Sequence, residues 1–178
     1  MDSSEEEIRA LEVQLGRPIQ GESRIARRCH LSLPVVVEVE PLTSDERPFP
    51  TLYWLSCPVL RRRVSRVEER GAVRELDERV ASDPDFRARF EDAASAYAKR
   101  RDAKLPEGAA LTPRGGIGGS MGGVKCLHAH LAEYLISGLS PAGEWVSREV
   151  LPVSCEMPCV IREGEELKKN PEFREPRQ

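Results

Sequence analysis

The chain has no apolar run near the ~20 residues that a helix needs to cross a bilayer. Its first residues, MDSSEEEIRALEVQLG, are acidic and amphipathic where a signal peptide is basic and then apolar, so we expect no secretory signal. The formal net charge is only −3, so no strong positive field draws the protein to nucleic acid or to a membrane surface. From these absences we expect a cytoplasmic protein that neither enters membranes nor binds nucleic acid.

Two nucleotide-binding motifs are missing from the glycine-rich segment GGIGGSMGGVKC. A P-loop places its lysine between a glycine and a serine or threonine, but Lys125 lies between Val124 and Cys126. The dinucleotide-binding pattern G-x-G-x-x-G fits nowhere in Gly115–Gly123, and no predicted strand leads directly into this segment. Two interpretations are left: its free N–H groups bind a small anion beside a helix N-terminus, or the segment is a flexible linker.

Composition and periodicity together predict the fold class. Hydrophobic residues make up 39% and charged residues 32% of the chain, which indicates a modest core beneath a heavily charged surface. The patterns predict strands over 22–30, 34–40 and 51–57, and helices over 58–70, 73–80, 83–104 and 124–137. We therefore expect an α+β fold, in which a small antiparallel sheet of about three strands packs against several helices on one side.

The chain divides into three parts. Residues 1–16 form a predicted amphipathic helix that begins with the capping box Ser4–Glu7 and is a candidate docking element for a protein partner. Residues 17–150 form a single α+β domain that contains the glycine-rich loop 105–123. Residues 151–178 form a polar tail, which we predict to be flexible.

Five cysteines carry most of the chemistry that the sequence offers, namely Cys29, Cys57, Cys126, Cys155 and Cys159. In a reducing compartment, such an odd set is more typical of free thiols, metal ligands or redox groups than of structural disulfides. Cys126 is predicted in the first turn of a helix beside Lys125, and both features stabilise a thiolate. Cys126 is therefore a candidate nucleophile, with His128 or His130 as its base.

The start of the same helix predicts half of a tetrahedral zinc site. In a helix, Cys126 and His130 share one face and His128 is rotated away, whereas in an extended segment all three side chains face the same way. Cys29 and Cys57 are predicted at the ends of elements, where they can supply the other half. The predicted ligands are Cys29, Cys57, Cys126 and either His130 or His128. An iron–sulfur cluster is a variant, and unrelated buried cysteines are the alternative.

The number of protein ligands would decide what such a metal does. Four protein ligands would make the site structural, and three would leave a position open for hydrolytic chemistry.

Two further segments allow more than one interpretation. Cys155 and Cys159 form a C-x-x-x-C unit next to Pro158, which disfavours a helix, and they can bind a metal, form a local disulfide or be incidental. The run RRRVSRVEER carries Arg61, Arg62, Arg63 and Arg66 close to Cys57. These arginines form either an anion-binding surface or a solvated helix face, since the two glutamates of the run dilute the charge.

Several blocks of the sequence resemble a known family. FPTLYWLSCPVL, VSRVEERG and GGVKCLHAHLAEYLISG, followed by SPAGEWV, are similar to the bacterial, mainly actinobacterial, family known as domain of unknown function 501. The resemblance covers roughly residues 16–146 and implies no established activity. It does imply that the family's recurring positions include three cysteines and two histidines, which correspond to Cys29, Cys57, Cys126, His128 and His130. This correspondence favours a shared metal or thiol site.

The chain departs from the family pattern in two places. The usual Cys-Pro-x-Gly after the first strand is Cys29-His30-Leu31-Ser32 here, so the turn that presents Cys29 differs, and the usual Asn-Pro is Ser140-Pro141. The sequence thus predicts where chemistry is located but names no reaction. The open alternatives are a zinc protein, a metal-free interaction module and a thiol enzyme that uses Cys126.

Overall fold

A computed structural model describes residues 4–19, 21–43, 45 and 47–177 of the chain. Within these residues the helices are α1 (Glu5–Leu15), α2 (Pro58–Glu69), α3 (Ala72–Ser82), α4 (Pro84–Asp102), α5 (Leu127–Ser137) and α6 (Pro141–Val150), with one short 3₁₀ helix at Ile117–Gly119. The strands are β1 (Ser23–Arg28), β2 (Pro34–Val39), β3 (Tyr53–Leu55), β4 (Val160–Glu163) and β5 (Glu166–Lys169). The predicted α+β class is confirmed.

The first three strands form an antiparallel sheet in the order β1-β2-β3. Ser23 of β1 lies opposite Val39 of β2, and Val36 of β2 lies opposite Leu55 of β3. The central strand β2 is buried along its whole length, as expected for a β-branched strand that is covered on both faces. The central strand therefore lies inside the molecule, whereas β1 is an edge strand of which only Ile25 is buried.

Helix α1 packs on the sheet face opposite to α5, so helices cover both faces of the sheet, and the prediction of helices on one side only is wrong. It begins with the predicted capping box, in which Ser4 and Glu7 bond each other's backbone N–H, and it ends at Gly16 with φ 73°. Its Leu11 is fully buried and packs in a cluster with Val37 of β2. Because this apolar stripe is already packed on the chain's own sheet, a partner that docked on it would have to displace α1.

Helix α5 is central to the fold, because it packs on β3 of the sheet and on α6. The close approach to α6 requires Gly143, where an added Cβ would lie 2.1 Å from the His130 carbonyl oxygen. Helix α6 lies beyond the last helix that the sequence patterns predict, which ends at residue 137. The structure shows Ser140 as the N-cap, accepting a bond from Gly143 N–H at 3.0 Å, and Pro141 as the first helical residue, which is where proline is favoured.

The C-terminal segment, predicted as a polar flexible tail, contains the β4–β5 hairpin, which packs against α1. The buried Arg63 of α2 anchors the segment by donating hydrogen bonds to the carbonyl oxygens of Val150, Pro152 and Pro176 at 2.7, 2.9 and 2.8 Å. Cys155 and Cys159 consequently have defined positions next to α2. Among the helices described, none combines the length and the apolarity that crossing a membrane requires.

Candidate functional site

The candidate site forms where the glycine-rich loop enters α5. Cys126 is the N-cap of α5 with φ −151° and ψ 115°, so it is extended and precedes the first helical turn in which it was predicted. The helical spacing that would pair Cys126 with His130 therefore does not apply. His128 lies beside Cys126 instead, as alternate residues do when the first of them is extended.

Three side chains from two helices converge at this point. Glu68 in the last turn of α2, Cys126 and His128 each offer one potential ligand atom, and these atoms all lie within 4.8 Å of one another. The Nδ1 atom of His128 is 3.3 Å from Glu68 Oε2. No pattern in the sequence identified Glu68, since its place in the site depends on how α2 packs beside the start of α5.

The outward-facing atoms of the same side chains are held by hydrogen bonds. The Nε2 atom of His128 lies 3.0 Å from the Arg61 carbonyl oxygen and 3.5 Å from Ser65 Oγ. The second oxygen of Glu68 accepts a hydrogen bond from the Leu127 N–H at 2.7 Å. Such outer contacts fix the imidazole tautomer and the orientation of the carboxylate, as they do around metal ligands.

The charges of the three groups depend on each other. Burial raises the pKa of the Cys126 thiol, but hydrogen bonds from His128 and the Ala129 N–H outweigh burial, and the net pKa is lowered. Burial lowers the pKa of His128, but contacts with Cys126, Glu68 and the Arg61 carbonyl raise it to about 10. The pKa of Glu68 is lowered despite burial, because His128 and Leu127 donate to it. The cluster therefore holds an imidazolium at neutral pH, and that imidazolium favours the ionised forms of Cys126 and Glu68.

Cys126 and His128 line a cleft of about 1050 Å³ between α1, α2 and the start of α5. The basic residues along this cleft are Arg17, Arg61, Arg62, Arg66 and Lys169. Glu69 is the acidic residue on the same wall, and Glu175 pairs with Arg62 and Arg66. The basic side chains still outnumber these two carboxylates, and an excess of positive charge attracts anions. Arg61, Arg62 and Arg66 of the run after Cys57 thus line this cleft, and anion binding by them stays a prediction.

The glycine-rich loop shapes this cleft but uses its amides internally. Gly118, at φ +65°, lets the loop approach α5, since an added Cβ would lie 3.1 Å from Ala129 Cβ and 3.8 Å from Cys126 Cβ. The N–H groups of Gly122 and Gly123 donate to the Ser120 hydroxyl. An anion bound at the amides of Gly115–Gly123 would have to compete with such bonds.

The other predicted site residues lie elsewhere. His130 is fully buried, its Nδ1 lies 2.9 Å from Ser140 Oγ, and burial lowers its pKa to about 4, so it is a neutral core residue. Cys29 and Cys57 line a different cavity. In the described part of the chain, the cluster of Glu68, Cys126 and His128 is the one group of three or more His, Cys, Asp or Glu ligand atoms that converges within 4.8 Å.

The structure thus defines an α+β protein with a Glu/Cys/His cluster at the wall of a basic cleft. A family model described as "Protein of unknown function (DUF501)" matches residues 25–148, well over half of the chain. The chain belongs to this family, and the resemblance seen in the sequence is confirmed. The match includes all three residues of the cluster. No curated protein and no solved structure matches the chain.

Proposed function

We propose that the protein binds one divalent metal ion, with zinc as the best fit, through Glu68, Cys126 and His128, and that it hydrolyses an anionic substrate in the adjoining cleft. The observation that carries this proposal is the convergence of three ligand atoms within 4.8 Å of one another. On His128 the ligand atom is Nδ1, since Nε2 faces the Arg61 carbonyl.

The donor set fits zinc. Thiolate sulfur, imidazole nitrogen and carboxylate oxygen are the three kinds of ligand that zinc takes from proteins. If a divalent ion replaced the Nδ1 proton of the His128 imidazolium, its ligands would be a thiolate, a carboxylate and a neutral imidazole. The two positive charges of the ion would balance the two negative ligands, and the site would have no net charge. Three protein ligands, with one position left for water or substrate, are typical of catalytic zinc sites, whereas structural sites use four.

The arrangement supports metal binding better than a metal-free catalytic triad. In a Cys-His-acid triad, the acid and the nucleophile bond opposite nitrogens of the imidazole. Here Glu68 faces Nδ1 of His128, while a main-chain carbonyl lies against Nε2. A thiol enzyme that uses Cys126 is the second candidate, and the observation in its favour is the lowered pKa of that thiol.

The cleft supports an anionic substrate, such as a phosphate ester. Five basic side chains line it, and guanidinium groups bind phosphate and carboxylate oxygens through paired hydrogen bonds. Bound zinc would supply Lewis-acid catalysis of hydrolysis. The chain's own part is to orient the anion with these arginines and to keep His128 and Glu68 fixed through their outer hydrogen bonds.

The test is the metal content of tag-free protein that is purified without chelator. Glu68→Gln and Cys126→Ser should each lower the zinc content by one equivalent per chain relative to the wild type. Glu69→Gln is the matched control, because it removes the same charge from the exposed neighbour on α2, and it should keep the wild-type content. Equal zinc in all four proteins would reject the site.

A further inference from the structure

Four of the five cysteines meet around one cavity of about 230 Å³, away from the Glu68 cluster. These are Cys29, Cys57, Cys155 and Cys159. They come from three separate segments: the turn after β1, the start of α2, and the irregular chain between α6 and β4. The remaining walls are largely apolar and include Leu135, Val153 and Phe173.

The first two cysteines sit on rigid elements that direct their thiols into the cavity. Cys29 closes a tight turn, in which its N–H donates to the Leu33 carbonyl and its carbonyl accepts from the Ser32 N–H, both at 2.9 Å. Ser32 takes a positive φ of 59° to make this turn. Cys57 is the N-cap of α2 and its side chain accepts no capping hydrogen bond, so its sulfur at the positive end of the helix is available to a metal.

Cys155 and Cys159 are held at the same cavity by hydrogen bonds between their segment and other parts of the chain. The His30 Nε2 atom lies 2.9 Å from the Cys155 carbonyl oxygen, which joins the β1 turn to the C-terminal segment. Gln14 of α1 donates from Nε2 to the Cys159 sulfur at 3.4 Å. Asn170 holds Cys159 from the other side, because its N–H donates to the Cys159 carbonyl at 3.0 Å.

The thiols are close enough to affect each other's ionisation. Burial raises the pKa of Cys57 to about 11, and the neighbouring Cys155 and Cys159 add to the rise. Burial also raises the pKa of Cys155, with Cys159 and Cys29 contributing. Cys57 is buried and the other three cysteines are half-buried, so one cation in their shared cavity would lie beside all four thiols.

We propose that Cys29, Cys57, Cys155 and Cys159 form a second metal site, a structural Cys₄ zinc centre that is independent of the Glu68 site. Four thiolates and no open position are typical of structural zinc, and each thiol loses its proton on binding. The site joins the sheet, α2 and the C-terminal segment, so the metal fastens the end of the chain to the core.

Metal binding requires the cluster to contract. In the described residues no three of the four sulfur atoms lie within 4.8 Å of one another, whereas sulfurs around a tetrahedral zinc lie about 3.8 Å apart, as follows from a Zn–S bond of about 2.3 Å. The segment that carries Cys155 and Cys159 has no regular secondary structure. Zinc binding would require this segment to shift toward Cys29 and Cys57 and to exchange the Gln14 hydrogen bond to the Cys159 sulfur for a bond to the metal.

The test uses the full chain with the Glu68→Gln substitution, which removes the first site. This protein should keep one zinc per chain, and its cobalt-substituted form should show the strong sulfur-to-cobalt absorption of a four-thiolate site. Adding Cys155→Ser or Cys159→Ser should abolish both signals. Met157→Leu, between these two cysteines, is the control and should change neither. Cys155 is chosen over the buried Cys57 because its substitution endangers the fold less.

Thiol counting gives the second readout. In Glu68→Gln protein, four thiols should be masked until the protein is denatured with chelator, whereas Cys126 should react at once. Metal content unchanged by Cys155→Ser and Cys159→Ser would overturn the Cys₄ site, and so would a disulfide among the four cysteines in freshly purified protein. If the wild type held a single zinc, and this zinc were kept in Glu68→Gln but lost in Cys155→Ser, the Cys₄ site would stand and the Glu68 site would fail. Each proposal can therefore fail without the other.

Discussion

Cys126 and His128, two residues apart at the start of α5, face the same carboxylate of Glu68. They do so because Cys126 is extended and only the residues after it are helical. His130, the residue that regular helical spacing would place beside Cys126, points instead into the core against Phe90, at a ring-centroid distance of 5.4 Å. Substitutions of the two histidines should therefore have different effects.

His128→Ala should lose one equivalent of zinc with little loss of fold, since this side chain is only half-buried. His130→Ala should keep its zinc but lower the free energy of unfolding by about 2–4 kcal/mol, because it leaves a cavity and removes the imidazole partner of the buried Ser140 hydroxyl. Metal analysis and urea unfolding measure the two effects. Loss of zinc from His130→Ala in a protein that is still folded would contradict the assignment of ligands.

The cleft arginines should bind anions. Arg61→Ala should weaken the binding of inorganic phosphate by about threefold to tenfold, as expected for the loss of one partly screened charge contact. The substitution keeps the Arg61 carbonyl that His128 contacts. Arg74→Ala is the control, because Arg74 is exposed on α3 and pairs with Glu78. Isothermal titration at low and high salt gives both affinities, and equal affinities for the two variants would count against an anion site in the cleft.

An alanine at Gly118 should destabilise the protein more than an alanine at a glycine elsewhere that has the same left-handed backbone. Gly108 has φ +76° with nothing within 4 Å of an added Cβ, whereas at Gly118 that Cβ would crowd Ala129. Gly108→Ala should cost about 1 kcal/mol of stability for the left-handed backbone. Gly118→Ala should cost more and should lower zinc affinity by moving Cys126. Identical unfolding curves for the two variants would show that the loop does not press on the site.

Arg63 should hold the C-terminal segment in place. Arg63→Met leaves three carbonyl oxygens without their donor and should lower the free energy of unfolding by about 2–4 kcal/mol. Residues beyond Val150 should then be cleaved faster in limited proteolysis. Arg62→Met changes the exposed neighbour and should stay within about 0.5 kcal/mol of the wild type. If the C-terminal segment of Arg63→Met resisted proteolysis as well as that of the wild type, other contacts would hold it in place.

The pH dependence of alkylation should distinguish Cys126 from Cys155 in metal-free protein. The lowered pKa of Cys126 means that its thiolate, and thus its rate with iodoacetamide, reaches a plateau at lower pH. Burial, aided by nearby thiols, raises the pKa of Cys155, so its rate should still rise at higher pH. Mass spectrometry of the labelled peptides gives both profiles. Superimposable profiles would remove the basis of the thiol-enzyme alternative.

The sequence was most informative where local rules decide the structure. The capping box at Ser4, the proline start of α2 after Cys57 and the β-branched strand β2 follow from neighbours along the chain, and all three are present in the structure. Helix α6 was missed because Ser-Pro begins both turns and helices, and only packing on α5 decides between them.

The site was only partly predictable for a related reason. Cys126 and His128 could be singled out by residue type, but Glu68 joins them through the packing of α2 beside α5. Likewise, the grouping of Cys29 and Cys57 with the two C-terminal cysteines depends on Arg63 and Asn170, which fix the course of a segment without a regular hydrophobic pattern. Contacts between residues distant in sequence leave no periodic signal in it.

The most direct test of the central claim is a crystal structure with an anomalous-difference map measured at the zinc absorption edge. The account predicts a peak between Glu68, Cys126 and His128, at about 2.0–2.3 Å from one oxygen, the sulfur and Nδ1. Zinc-loaded crystals that show no peak there, with the Nδ1 hydrogen bond to Glu68 intact, would contradict it.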